Sequence, residues 1–131
     1  MMSLEEHIEH WLKTSEKDLE SASNMFSAGI YDWSLFVAHL ALEKLLKALW
    51  IQANQQAFPP KIHNLMKLAE QAGIELTEEQ VEFFRLVNQF HLEARYQEYK
   101  DDFQKIATKE FSNHNLIKIK EVCLWLKSQI I

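Results

Sequence analysis

Two glycines and two prolines in 131 residues constrain this chain more than any other feature. Average usage would supply about fifteen of them together. A sandwich or barrel needs a turn every few residues, and those turns draw on Gly, Pro or Asn-Gly pairs. An all-β fold is therefore excluded. A doubly wound nucleotide fold is excluded as well, because no glycine-rich loop exists to approach a pyrophosphate. The expected class is all-α: an up-and-down bundle of four main helices plus one short helix. One domain over residues 1–131 is the expected organisation, with no internal repeat or low-complexity linker.

The few breakers divide the chain into segments. Ile8, Trp11, Leu12, Leu19, Ala22 and Phe26 form one apolar stripe on a first helix over about 4–28, with Gly29 just past its end. Asp32 is the expected cap of a second helix over about 33–53. That helix is apolar almost all round, so it is either central or faced by a second copy. The expectation carried forward is that a lone protomer cannot hide it. Pro59-Pro60 stops continuation, and a short helix over about 62–72 ends at Gly73. Thr77 and Gln80 make a capping box that opens a helix to about Leu92. A short helix is expected around 101–107. A last one runs over about 113–129, capped by Ser112 or Asn113, with Ile117, Val122, Leu124 and Trp125 as its apolar residues.

Fourteen basic and nineteen acidic residues give a net charge of −5, which argues against bulk nucleic-acid binding. Lys118, Lys120 and Lys127 make a local basic spot. The single cysteine, Cys123, lies in an apolar run and reads as a small buried hydrophobe. A reducing, cytoplasmic setting is expected, and no apolar run is long enough to span a bilayer.

Several chemistries lack their motifs. Glu-x-x-His and His-Glu-x-x-His occur nowhere, one cysteine makes a thiolate zinc site implausible, and no nucleophile elbow is present. What remains is a polar row on the second helix, His39, Glu43 and Lys47, spaced four apart on one face. It lines an inter-helix cleft or forms a polar edge. As a metal pair, His39 and Glu43 would need a third ligand, and none is evident; no metal and no cofactor are expected. His63 follows the Pro-Pro turn. Arg95 and Tyr96, with Tyr99 and Lys100, offer a phosphate-gripping guanidinium beside a stacking ring.

Taken in order, these residues resemble the HEPN domain family (higher eukaryotes and prokaryotes nucleotide-binding). The resemblance is carried by Lys17-Asp18-Leu19, by Gly29-Ile30-Tyr31-Asp32 and by the run from Phe36 to Leu49 with its Glu43-Lys44 and Lys47-Ala48. Pro60-Lys61-Ile62-His63-Asn64-Leu65 and Ala94-Arg95-Tyr96 continue it, so it spans about residues 11–127. It implies a helical bundle, commonly a homodimer, beside a nucleotidyltransferase partner, with a nucleotide ligand. Some relatives are metal-independent ribonucleases of toxin–antitoxin and defence systems. Those use an Arg, four to six residues and then a His, completed across the dimer.

Gln97-Glu98 replaces the Pro-Asp that usually follows Ala-Arg-Tyr, and no histidine follows Arg95 at the ribonuclease spacing. Arg85 and His91 do satisfy it. On an unbroken helix, however, six residues turn through about 240°, so that pair diverges unless the helix breaks. The leading expectation is a non-catalytic homodimer binding nucleotide through Lys44, Lys47, His63, Arg95 and Tyr96, with His39 and Glu43 lining the cleft. The alternative is an endoribonuclease using Arg85 and His91, the one reading in which RNA is a partner.

Overall fold

The computed structural model describes the backbone of residues 1–131, and every side chain except those of Gln97 and Glu98. Six helices follow in order: α1 (Leu4–Ser27), α2 (Tyr31–Asn54), α3 (Leu65–Gln71), α4 (Glu78–Glu93), α5 (Gln97–Ile106) and α6 (Lys109–Lys127). No strand forms among the described residues, and no helix is long and apolar enough to cross a membrane.

The long helices begin where local chemistry satisfies their first amide groups. Ser3 and Glu6 form a reciprocal capping box on α1, and Thr77 and Gln80 form the expected one on α4. Gly29 takes a φ of +80° just past α1, the left-handed position that favours glycine. Four helix starts differ from expectation: α3 begins at Leu65 under its Asn64 cap rather than near 62, α5 begins at Gln97 rather than near 101, and α2 and α6 each begin earlier than their expected caps. Helix α2 starts at Tyr31 with no side-chain cap, and Asp32 lies in its first turn, accepting from Gln104 Nε2 at 3.3 Å. Helix α6 starts at Lys109 under a Thr108 cap, while Ser112 is fully buried in the bundle.

Helix α2 is the axis of the molecule. Helix α1 lies along one side of it, and α3, α4 and α6 cover the others. Leu35, Leu42, Leu46 and Ile51 are sealed from water. The expectation that one protomer cannot hide this helix is therefore corrected: the chain wraps its own greasiest segment. The stripe on α6 also shifts. Its inward residues are Asn115, Leu116, Ile119, Cys123 and Leu126, which follow the 3.6-residue period, so Ile117 and Leu124 point outward. Cys123 is buried as expected, and burial pushes its thiol up to about 12.

The α1–α2 hairpin packs through small residues. Ser15 Oγ donates to the Ala41 carbonyl at 2.6 Å, and Ser34 Oγ donates to the Ala22 carbonyl at 2.7 Å. Ala22, Ala38 and Ala41 are fully buried along this seam. At its edge, Lys44 Nζ meets Asp18 Oδ2 at 2.7 Å.

Candidate functional site

The polar row of α2 is buried under the His63 loop and the last turn of α4. His39, Glu43 and Lys47 are all removed from solvent. An uncompensated carboxylate at such a place would be costly, and Glu43 is compensated twice. Its Oε2 lies 3.2 Å from Lys47 Nζ, and its Oε1 lies 2.9 Å from His63 Nδ1. Lys47 also sits over the Trp11 ring at 5.5 Å. It neutralises Glu43 inside the bundle and does not reach the surface.

His63 is placed by a backbone clasp. Asn64 caps α3, its Oδ1 accepting from Met66 N and Lys67 N. Asn88 on α4 then ties the same segment down: its Oδ1 accepts from Leu65 N at 2.9 Å, and its Nδ2 donates to Asn64 Oδ1 at 3.3 Å. One side of the His63 ring is thereby held against Glu43, and its side chain stays about half exposed (54%).

His91 arrives from the last turn of α4 and stacks on His63, with ring centroids 4.3 Å apart. It is also 5.0 Å from the His39 ring and 5.5 Å from Phe36. Arg95 Nη1 donates to His91 Nε2 at 3.0 Å. That bond makes Nε2 a lone-pair site and leaves the ring proton on Nδ1. Burial holds His91 below the ordinary histidine range, helped by the nearby His63 and Arg95 and opposed by Glu43. His39 is lowered further, to about 4, chiefly by burial and against the pull of Glu43.

Three histidines, one carboxylate and two permanent cations thus meet where α2, the His63 loop and α4 converge. Outside them, a cleft of about 200 Å³ is lined by His63, Asn64, Asn88 and His91. Arg95 is exposed at this end of α4, beside the half-exposed Tyr96 ring, with its guanidinium 5.6 Å from the ring centre. Among the described residues no carboxylate lies within 4 Å of it.

The sequence-nominated residues therefore separate. His39, Glu43, Lys47, His63, Arg95 and Tyr96 gather on one side of α2, in two layers. Lys44 stands apart, engaged with Asp18 on α1. Arg85 also stands apart. Helix α4 is unbroken over both residues, Arg85 pairs with Glu82 at 3.0 Å, and His91 turns inward to His63 and His39. The ribonuclease-spaced pair is not brought together within this chain. Glu43, His63 and His91 each bring one possible ligand atom to within 4.8 Å of the others, a grouping that does not include His39 and that helical spacing on α2 alone did not show. Asn88 and the inward role of His91 went unnoticed in the sequence. Asn88 lies one turn before His91 on the same helix face, which is the signal that could have found it.

Residues 8–129 match the HEPN domain family. No curated protein matches the chain. Among solved structures, TT1696 from Thermus thermophilus superposes with a TM-score of 0.77 at 19% identity, over 94% of this chain and 98% of that one. ST0689, an archaeal HEPN homologue, superposes with a TM-score of 0.65 at 20% identity, over the whole of both chains. At such identity the two likenesses concern the fold.

Proposed function

The chain belongs to the HEPN domain family, and from that premise we propose that it is a binding protein for nucleotide phosphate, working as a homodimer beside a nucleotidyltransferase partner in a toxin–antitoxin or defence setting. The observation that carries the ligand is Arg95. In a chain of net charge −5, it is an exposed guanidinium without a described carboxylate, bonded to His91, which lines the cleft with His63, Asn64 and Asn88. Guanidinium forks suit phosphate oxygens. The cleft is smaller than the roughly 300 Å³ and upward of sites that engulf a drug-sized ligand. It suits a phosphate group, with the base left outside against Tyr96, whose ring can stack on it.

The role of each residue follows from its layer. His63, Arg95 and Tyr96 touch the ligand. Glu43, Lys47 and His39 hold the rings in place from beneath. Lys44 fastens α1 to α2. None of these roles needs proton transfer.

Titration calorimetry of the full chain with ATP and with GTP tests the reading. Saturable binding is expected, and Arg95→Ala should weaken it by at least about tenfold, the loss of a charge-assisted contact of roughly 1.5–3 kcal/mol. Arg85→Ala, on another face of α4, should leave it unchanged. Absence of binding heat with either nucleotide, or binding indifferent to Arg95, overturns the proposal.

A further inference from the structure

We infer that Glu43, His63 and His91 form a binding site for a late first-row divalent metal ion, with the buried His39 ring beside it and zinc as the natural probe. The inference goes beyond nucleotide binding and does not depend on it. Glu43, His63 and His91 come from three separate elements, and each offers one ligand atom, all within 4.8 Å of one another. Two imidazoles and a carboxylate are a donor set suited to zinc, copper, nickel or iron rather than to magnesium or calcium.

The independent observation is His39. Its ring is fully buried. Nε2 lies 3.3 Å from the His63 carbonyl oxygen, which can only accept, so Nε2 carries the proton and Nδ1 is a bare lone pair. Nδ1 has no hydrogen-bond partner among the described residues. It faces Glu43 Oε1, another acceptor, at 4.0 Å. Glu43 Oε1 already accepts from His63, so the unpartnered atom is His39 Nδ1, and a cation taking the place of the His63 proton would lie near both. The His39–carbonyl bond is also the arrangement by which metal-bound histidines are usually oriented, the distal N–H anchored to a backbone oxygen.

The distances are compatible with coordination after a small contraction. Bonds of about 2.1 Å place adjacent ligand atoms roughly 3.0–3.4 Å apart. Glu43 Oε1 and His63 Nδ1 are already at 2.9 Å, and the ligand atoms, within 4.8 Å of one another, would draw together through the half-exposed His63 and the partly buried His91. Binding replaces the proton shared between Glu43 and His63, and His63 then carries its proton on Nε2. Lys47 holds the other carboxylate oxygen, Oε2, and leaves Oε1 to the metal. Arg95 must release His91 Nε2 for that nitrogen to bind, and being exposed it can swing into water. The two nearby cations repel the ion, so affinity in the micromolar range is expected rather than that of a structural zinc site.

The test is calorimetry of the chelator-treated full chain with zinc chloride alone at pH 7.5, with cobalt(II) absorption as the spectroscopic companion. One equivalent should bind. Cobalt should give a visible d–d spectrum without thiolate charge transfer, because Cys123 lies elsewhere, in the α6 core. His63→Ala and His91→Ala should each weaken binding by at least about tenfold, as loss of a ligand requires. His10→Ala, an exposed control on α1, should not. Both tested rings reach the surface, and unchanged circular dichroism verifies that their variants fold. Arg95→Ala should tighten zinc binding while weakening nucleotide binding, so the two proposals fail separately. Absence of one-equivalent binding, equal affinity in the His63 and His91 variants, or weaker zinc binding in Arg95→Ala overturns the inference.

Discussion

The two sides of α2 do different work. Toward α1 the contact is apolar, close and locally encoded: alanines and serines, two hydroxyl-to-carbonyl bonds, and the Asp18–Lys44 pair at its edge. Toward the His63 loop and α4 the contact is polar and assembled from afar, with Glu43 shared among Lys47 and His63 while His91 closes over the top. The first side supplies stability, and its edge pair, Asp18–Lys44, is the part of it open to screening by salt. The second tolerates buried ionisable groups that a structural seam would avoid, and that expense marks it as the side that meets a ligand.

Breaking the apolar side should have the larger effect. Leu42 is sealed in the core. Leu42→Ala should cost about 3 kcal/mol through lost burial and a residual cavity, read as a lower urea midpoint with an unchanged slope. An effect on nucleotide affinity at temperatures where the variant stays folded would contradict the separation of the two sides.

The polar side should announce itself through pH. Burial lowers the folded pKa of His39 to about 4, whereas the ordinary histidine value, taken for the unfolded chain, is 6.5. The unfolded state therefore takes up the proton first as pH falls. Stability is full above about 6.5 and declines toward 4. Between pH 7.5 and 5 the expected loss is about 2 kcal/mol. His91, also lowered, adds in the same direction, Glu43 opposes, and His63 faces the same cluster. Urea unfolding at the two pH values measures it, and His39→Gln should flatten the slope. A pH-independent midpoint over that range would contradict the burial of His39.

The smallest effect sharpens the comparison most. Asn88→Ala removes the acceptor for Leu65 N and should cost about 1–2 kcal/mol. Its larger consequence should be on ligand binding, since the segment carrying His63 loses its tie to α4. Calorimetry with ATP on the folded variant checks this; unchanged affinity would show that His63 is positioned without the clasp.

How much of this was legible depended on the range of the interaction. The Thr77–Gln80 box, Gly29 and the α1 stripe are decided within one or two turns of chain, and the sequence states them directly. The α6 start was misplaced because Ser112, a good cap by type, is claimed by the core, leaving Thr108 to cap. The row on α2 was visible because helical spacing puts it on one face. Its partners were not visible, because periodicity tells which face a residue occupies and not which neighbour lies opposite. His91 was thus paired with Arg85 by spacing, when packing sets it between His39, His63 and Arg95.

The serine rungs from Ser15 to Ala41 and from Ser34 to Ala22 join α1 and α2 at points two turns apart. Helices riveted twice cannot slip past each other by a turn, because slippage would strand both hydroxyls inside the protein. The hairpin therefore behaves as a rigid anvil. Any adjustment on ligand arrival would fall to the opposite bank, where the His63 loop is joined to α4 through a single asparagine.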